Sequence, residues 1–278
     1  GSKQSGFKVE CIDCEEVREY QPGDEVRSID WNVTAKMGFP FVKQYREERE
    51  LTILLAIDIS NSGVWGSSER TKRERLAELG ALLSFSANRN GDKVGLLLFS
   101  DQVEKYLPPA KGQKHVLRIL REILFHQNQS KGTDLNEGLR FLNRVMRRRA
   151  VVFLLSDFII PEYDSEEETI ENIFLKELST TRRRHDLVCC QIHDKIEKEI
   201  PNVGRVHFED AETGETIILD SSNKDFRKQY RENTQNRQET FIRRLRRRGI
   251  DNFQFSTDSD YVKDLREFFH LRGNRKGR

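Results

Sequence analysis

Five short apolar runs punctuate an otherwise polar chain: TILLAID (52–58), VGLLLFS (94–100), VVFLLSD (151–157), DLVCCQI (186–192) and DNFQFST (251–257). They are rich in β-branched and large apolar residues and do not alternate cleanly with polar ones. Near-continuous runs of this length predict parallel strands covered on both faces. Between them the period changes. In RTKRERLAELGALLSFSANRNGD, Leu76, Leu79, Leu83 and Ala87 fall on one helical face, and Asn90-Gly91 marks the end. In GTDLNEGLRFLNRVMRRR, Leu135, Leu139, Leu142 and Met146 align. Thr133 sits where an N-cap belongs, and arginines close the segment as the helix dipole favours. SEEETIENIFLKELSTT and SDYVKDLREFFHLRG predict two further helices.

Alternating strands and helices predict an α/β fold with an open, mostly parallel central sheet flanked by helices. DQVEKYLPP adds an antiparallel strand directly after the second run. GRVHFEDAETGETIILD (204–220) reads as a β-hairpin turning around Thr213-Gly214, an insertion at about 203–220. Residues 1–50 do not follow the alternation. They read as an irregular segment rich in turns and charges, packed on a main domain of residues 51–278.

Composition narrows the class. Of 278 residues, 36% are hydrophobic and 34% charged, and 48 basic against 46 acidic residues leave a net charge of +2. That balance gives no general reason for nucleic-acid binding. The runs Arg147–Arg149, Arg182–Arg184 and RRLRRR (243–248) lie near expected helix ends and read as solvated surface balanced by acids such as DSEEETIE. No stretch approaches the roughly 18 apolar residues of a membrane span, and no signal peptide is visible. A cytoplasmic location is expected. The chain opens on Gly-Ser without Met, which leaves an upstream anchor open. Four cysteines are too few for a disulfide framework and suit a reducing compartment. Cys11-x-x-Cys14 lacks a second pair that would complete a zinc site. His193, just past a strand end, reads as a structural histidine.

The apolar run of residues 51–59 ends in polar residues spaced two apart: Asp58, Ser60 and Ser62. Thr133 precedes a helix, and Asp157 ends another predicted strand. In open α/β sheets, ligands gather beyond the carboxyl ends of the strands. All five residues are oxygen donors, as small hard cations require. Mg²⁺ takes about six oxygens at roughly 2.0–2.1 Å and usually keeps some waters. Two aspartates balance a divalent charge, while the hydroxyls add none. Asp58, Ser60 and Ser62 alone are equally readable as a helix cap and polar loop; Thr133 and Asp157 tip the reading towards a metal site for Mg²⁺, with Mn²⁺ or Ca²⁺ as alternatives.

In this order the five residues resemble the metal-ion-dependent adhesion site (MIDAS) of von Willebrand factor A domains. The resemblance implies that the serines bind the ion directly, that the threonine can join them, and that the aspartates bind directly or through water. It further implies an open position for a partner's carboxylate. Gly63 stands where that family usually has Met, outside the ligand set. The stretch Val17 to Leu51 is similar to the bacterial "domain of unknown function 58" family. That family carries a signature matched here by Arg18, Tyr20, Gly23, Asp24, Arg27, Ile29, Asp30, Trp31, Thr34, Ala35 and Lys36. This resemblance implies association with a MoxR-type AAA+ ATPase in protein assembly, maturation or stress response. Arg18, Asp24, Arg27, Asp30 and Trp31 read as a structural clamp ahead of a partner surface.

The expectation is a metal-dependent protein–protein interaction module or adaptor. Its partner presents an acidic side chain to the ion. No nucleic acid is expected, and no membrane within this chain. The alternatives are a Mg²⁺-dependent hydrolase of phosphate esters and, behind it, nucleic-acid binding through the arginine runs. Against catalysis, the chain lacks a phosphate-binding Gly-x-x-x-x-Gly-Lys-[Ser/Thr] loop and a Gly-x-Ser-x-Gly elbow. Ser60 also stands where a phosphatase acid would.

Overall fold

The computed structural model describes residues 16–44, 50–60, 71–129, 132–159, 170–209 and 216–276. The chain divides into two units, Gly1–Arg49 and Glu50–Arg278. In the first, β1 (Glu16–Glu19) and β2 (Phe41–Gln44) pair antiparallel, with a helix α1 (Trp31–Met37) between them in sequence. Within the segment expected to be irregular, residues 16–44 thus form regular elements. Its strands have four residues each, too short to show a period-2 pattern. Asp30 caps α1 by accepting from the amides of Asn32 and Val33. Gly38 ends the helix at φ 76°, where a Cβ would be strained. The Arg18 guanidinium grips the Asp24 carboxylate at 2.7 and 2.6 Å, and this hydrogen bonding holds the Asp24 carboxyl below its usual range. Thr34 Oγ1 accepts from the Phe41 amide at 3.0 Å. The side chains of four signature residues, Arg18, Asp24, Asp30 and Thr34, therefore bond within their own unit.

The second unit carries the five apolar runs as parallel strands: β3 (Thr52–Asp58), β4 (Lys93–Phe99), β6 (Val151–Ser156), β7 (Asp186–His193) and β10 (Asp251–Ser256). The strand after β4, β5 (Val103–Ala110), pairs with it antiparallel. The sheet order is β10-β7-β6-β3-β4-β5. Successive residues of the central strand feed opposite faces. Leu55 and Ile57 pack with α2 (Lys72–Arg89), α3 (Gln113–Phe125) and α8 (Tyr261–Lys276); Leu54 and Ala56 pack with α4 (Leu135–Val145), α5 (Ile170–Arg184) and α7 (Lys224–Arg247). Helices thus cover both faces of a mostly parallel sheet, which is why these strands read as continuous apolar runs. Cys189 and Cys190 lie buried in β7, and burial pushes the Cys190 thiol up to about 12. A short helix, α6 (Lys195–Lys198), follows β7. The expected hairpin is present as β8 (Arg205–Glu209) paired with β9 (Thr216–Asp220); its turn at Thr213-Gly214 lies outside the described residues, as do Cys11, Cys14 and most of DSEEETIE.

Besides the short α1 and α6, the helices α3 and α7 were not anticipated. In α3, Val116, Ile119 and Ile123 form a buried stripe at helical spacing. Of the 24 residues of α7, only Phe241 and Leu245 are buried, so the apolar period is almost silent. The cap of α4 also differs from expectation. Asp134, not Thr133, accepts from the Asn136 amide, at 2.9 Å. The helix starts one residue later than the pattern indicated, and a carboxylate suits its positive N-terminus.

Candidate metal centre at the carboxyl edge of the sheet

The main unit enters its sheet at β3, adds β4 and β5 on one side, and then returns to lay β6, β7 and β10 on the other. The winding reverses between β3 and β6. Connections leaving two such strands part towards opposite faces and open a crevice at the carboxyl edge, the usual ligand position in open α/β sheets. Asp58 is the last residue of β3, and Asp157 directly follows β6. The two aspartates expected to hold a metal therefore flank the switch point.

Both are buried, as is Ser60; Asp58 is 6% exposed and Asp157 8%. Asp58 Oδ1 accepts from the Ser60 amide at 3.0 Å, and Oδ2 accepts from Ser156 Oγ at 2.8 Å. The Ser156 hydroxyl oxygen in turn accepts from the Phe158 amide at 2.9 Å. Asp157 Oδ1 accepts from the Ile159 amide at 3.1 Å, and its main-chain carbonyl from Gln191 Nε2 at 3.2 Å. Phe158 has φ 54°, a left-handed conformation that costs energy in a bulky residue and that packing must enforce. Its ring packs 5.2 Å from that of Phe241 and 6.1 Å from that of Phe174. This strained turn immediately follows Asp157.

Burial pushes the Asp58 carboxyl up to about 6, helped by the Asp157 charge and opposed by hydrogen bonds from Ser60 and Ser156. Two carboxylates thus share a site with little water. Sequence reasoning missed the cation beside them. Lys72, the first residue of α2, is 1% exposed; its ammonium lies 2.9 Å from Asp157 Oδ2 and also pairs with Glu197 Oε1. Burial alone would lower the Lys72 pKa, but the two carboxylates outweigh it and the net shift is upward. Burial raises the Glu197 carboxyl against the pull of Lys72. In RTKRERL a buried lysine is hidden among basic neighbours that look like surface. The available signal was its place in a helix's first turn, where positive charge is disfavoured.

Ser62 lies outside the described residues. Thr133 is half-buried and reaches the same edge through β4: the Asp134 amide donates to the Ser100 carbonyl just past that strand. The Ile59 amide donates to the Phe99 carbonyl, so the β3 exit and the Thr133 loop are tied to one strand end. A Cβ at Gly132 would lie 2.8 Å from Asp101 Oδ2, so a larger residue there would displace the Asp101 side chain. His193, at the end of β7, is pushed down to about 4 by burial and is neutral at pH 7. Among the described residues, no group of three or more His, Cys, Asp or Glu is placed to hold a metal ion. A set of two aspartates with hydroxyls is a different arrangement. Its donors are all oxygens, two of them buried carboxylates, a set that fits a hard cation keeping bound waters.

A family profile described as "Protein of unknown function DUF58" matches residues 16–240. Uncharacterized proteins of Mycobacterium bovis and Mycobacterium tuberculosis are each 29% identical over 255 residues, covering 91% of this chain and 77% of theirs. Among solved structures, the conserved hypothetical protein BatB from Bacteroides thetaiotaomicron is 15% identical with a TM-score of 0.49, covering 81% of this chain and 99% of that one. The PilB minor pilin from Streptococcus sanguinis is 12% identical with a TM-score of 0.47, covering 85% and 64%. No helix among the described residues is long and apolar enough to cross a membrane.

Proposed function

The chain belongs to the DUF58 family of proteins of unknown function, and we propose that it is a metal-dependent protein-interaction module. One observation carries the reading: two buried aspartates, Asp58 and Asp157, converge from adjacent parallel strands at the switch point of the sheet. The ligand set is Asp58, Ser60, Ser62, Thr133 and Asp157, in the pattern of the adhesion site of von Willebrand factor A domains. Mg²⁺ is the favoured ion, and when bound it offers a point of attachment to an external carboxylate. The residues of this chain prepare that point. The Ser60 amide and the Ser156 hydroxyl orient Asp58, while the Ile159 amide and the Phe158 turn orient Asp157. Asp58 at the end of β3 and Asp157 just past β6 are thereby oriented for an ion that a partner's acidic side chain can complete. A MoxR-type AAA+ ATPase is the partner that the family resemblance favours.

Calorimetric titration of Mg²⁺ and Mn²⁺ tests the site. Wild type is expected to give a saturable isotherm that Asp58→Ala abolishes; identical isotherms remove the metal reading. Binding of an acidic peptide that persists unchanged in EDTA removes the adhesion role. Turnover of a phosphoester that Asp157→Ala abolishes would replace it with hydrolysis.

A further inference from the structure

Two features of its position work against Lys72. Its ammonium has left water almost completely, and it stands at a helix N-terminus, where the dipole opposes positive charge. A buried ion cluster is weak support for stability, because an apolar side chain of similar volume often serves as well or better. The arrangement of its anchors points to another use. Glu197 is held independently of Lys72: its Oε2 accepts from the Asp194 amide at 2.9 Å in a capping box at the start of α6. Asp194 in turn accepts from Thr257 Oγ1 at 2.9 Å. Glu197 is thus a fixed anchor belonging to the β7–α6 connection. Asp157 belongs to the ligand set, and Lys72 engages one of its oxygens at 2.9 Å.

We propose that Lys72 is a tethered cation that competes with the divalent ion for Asp157, and that Glu197 is the anchor onto which it withdraws when the ion binds. Lys72 and Glu197 together set how tightly the centre holds metal. The inference rests on the metal-binding reading above. Charge counting gives it a direction. With Asp58, Asp157 and Glu197 ionised, three carboxylates and one ammonium leave two negative charges, which one divalent ion balances. Removing the ammonium leaves three negative charges and an unoccupied Asp157 oxygen. Neutralising Glu197 leaves one negative charge and gives Lys72 no anion but Asp157. Lys72 and Glu197 are positioning residues; neither touches the ion.

The test titrates Mg²⁺, and separately Mn²⁺, by calorimetry into the full chain as wild type, Lys72→Met, Glu197→Gln and the double variant. Circular dichroism and thermal unfolding verify that each is folded. Lys72→Met is expected to tighten metal binding by about tenfold or more, because a repulsive charge of the same sign as the ion is removed. Glu197→Gln is expected to weaken it by a similar factor. The double variant restores the wild-type net charge and is expected to return towards wild-type affinity. A purely structural role predicts weaker binding in both single variants. That result, equal affinity in all four proteins, or a double variant that does not return overturns the proposal and leaves the metal reading standing. No binding in any of the four overturns both. Should Lys72→Met fail to fold, Glu197→Gln and the charge-restored double variant decide the question.

Discussion

Asp58 carries the clearest single-residue consequence. Its carboxyl moves from 3.8 to about 6 on folding, first because it is buried and then because Asp157 is near. A carboxyl with a raised folded-state pKa binds its proton more tightly in the fold than in the unfolded chain. Its contribution therefore favours folding at low pH and is lost as pH rises from about 4 to about 6. The shift corresponds to about 3 kcal/mol. Asp58→Asn removes the titration. In urea denaturation from pH 4 to 7 without divalent ions, wild type should lose roughly 2 kcal/mol relative to Asp58→Asn. A difference independent of pH would show that Asp58 is not held as described. Oxygen donors spaced two apart at the end of an apolar run were visible in the sequence. Ser156, which orients Asp58, was not, because nothing local distinguishes it from other serines; Lys72, which engages Asp157, left only its place in the first turn of a helix as a signal.

At the scale of elements, packing decides what the pattern leaves open. Helix α4 lies close to β4 because Gly138 has no side chain: a Cβ there would come 2.7 Å from the Phe99 ring. Gly138→Ala is therefore expected to destabilise the protein by about 1–3 kcal/mol, the usual cost of overpacking. Thermal unfolding checks this, and an unchanged midpoint would show that α4 can move away freely. The arginine runs also acquire local roles. Arg182 donates to the Gly249 carbonyl at 2.9 Å, Arg248 to the Arg244 carbonyl at 3.1 Å, and Arg184 to the Met146 carbonyl at 3.3 Å. Several guanidiniums thus satisfy carbonyls near helix ends, where positive charge is favoured. The stripe of Leu76, Leu79, Leu83 and Ala87 in α2 was legible because every member is buried. Helix α7 was not, because two buried residues in 24 leave no period to read.

For the main unit as a whole, Arg272 joins elements far apart in the sequence. From α8 its Nε donates to Asp251 at the start of β10 at 2.7 Å, and its Nη2 to Asp186 at the start of β7 at 2.5 Å. Side-chain exposures of 10% for Arg272 and 13% for Asp186 mean that solvent weakens the latter pair little. Arg272→Met removes a forked contact to two partly buried carboxylates and is expected to cost about 2 kcal/mol. Arg272→Lys should rescue little of this, because one ammonium cannot reproduce the forked contact. Full rescue by lysine in denaturant titrations would show that charge alone matters.

The sequence by itself determined the five apolar strands of the main sheet, their parallel class, and the oxygen donors at their carboxyl ends. These follow from local hydrophobic pattern and side-chain chemistry, which neighbouring residues carry. Tertiary structure alone decided that β3 and β6 are adjacent and that the winding reverses between them. It also decided that Lys72 and Glu197, 125 residues apart in numbering, meet beside Asp157. A charged side chain has no periodicity that reports its burial. Whether it faces water or a carboxylate depends on which distant strand ends the fold brings to it, and here those ends turn an ordinary helix-start lysine into part of the candidate site.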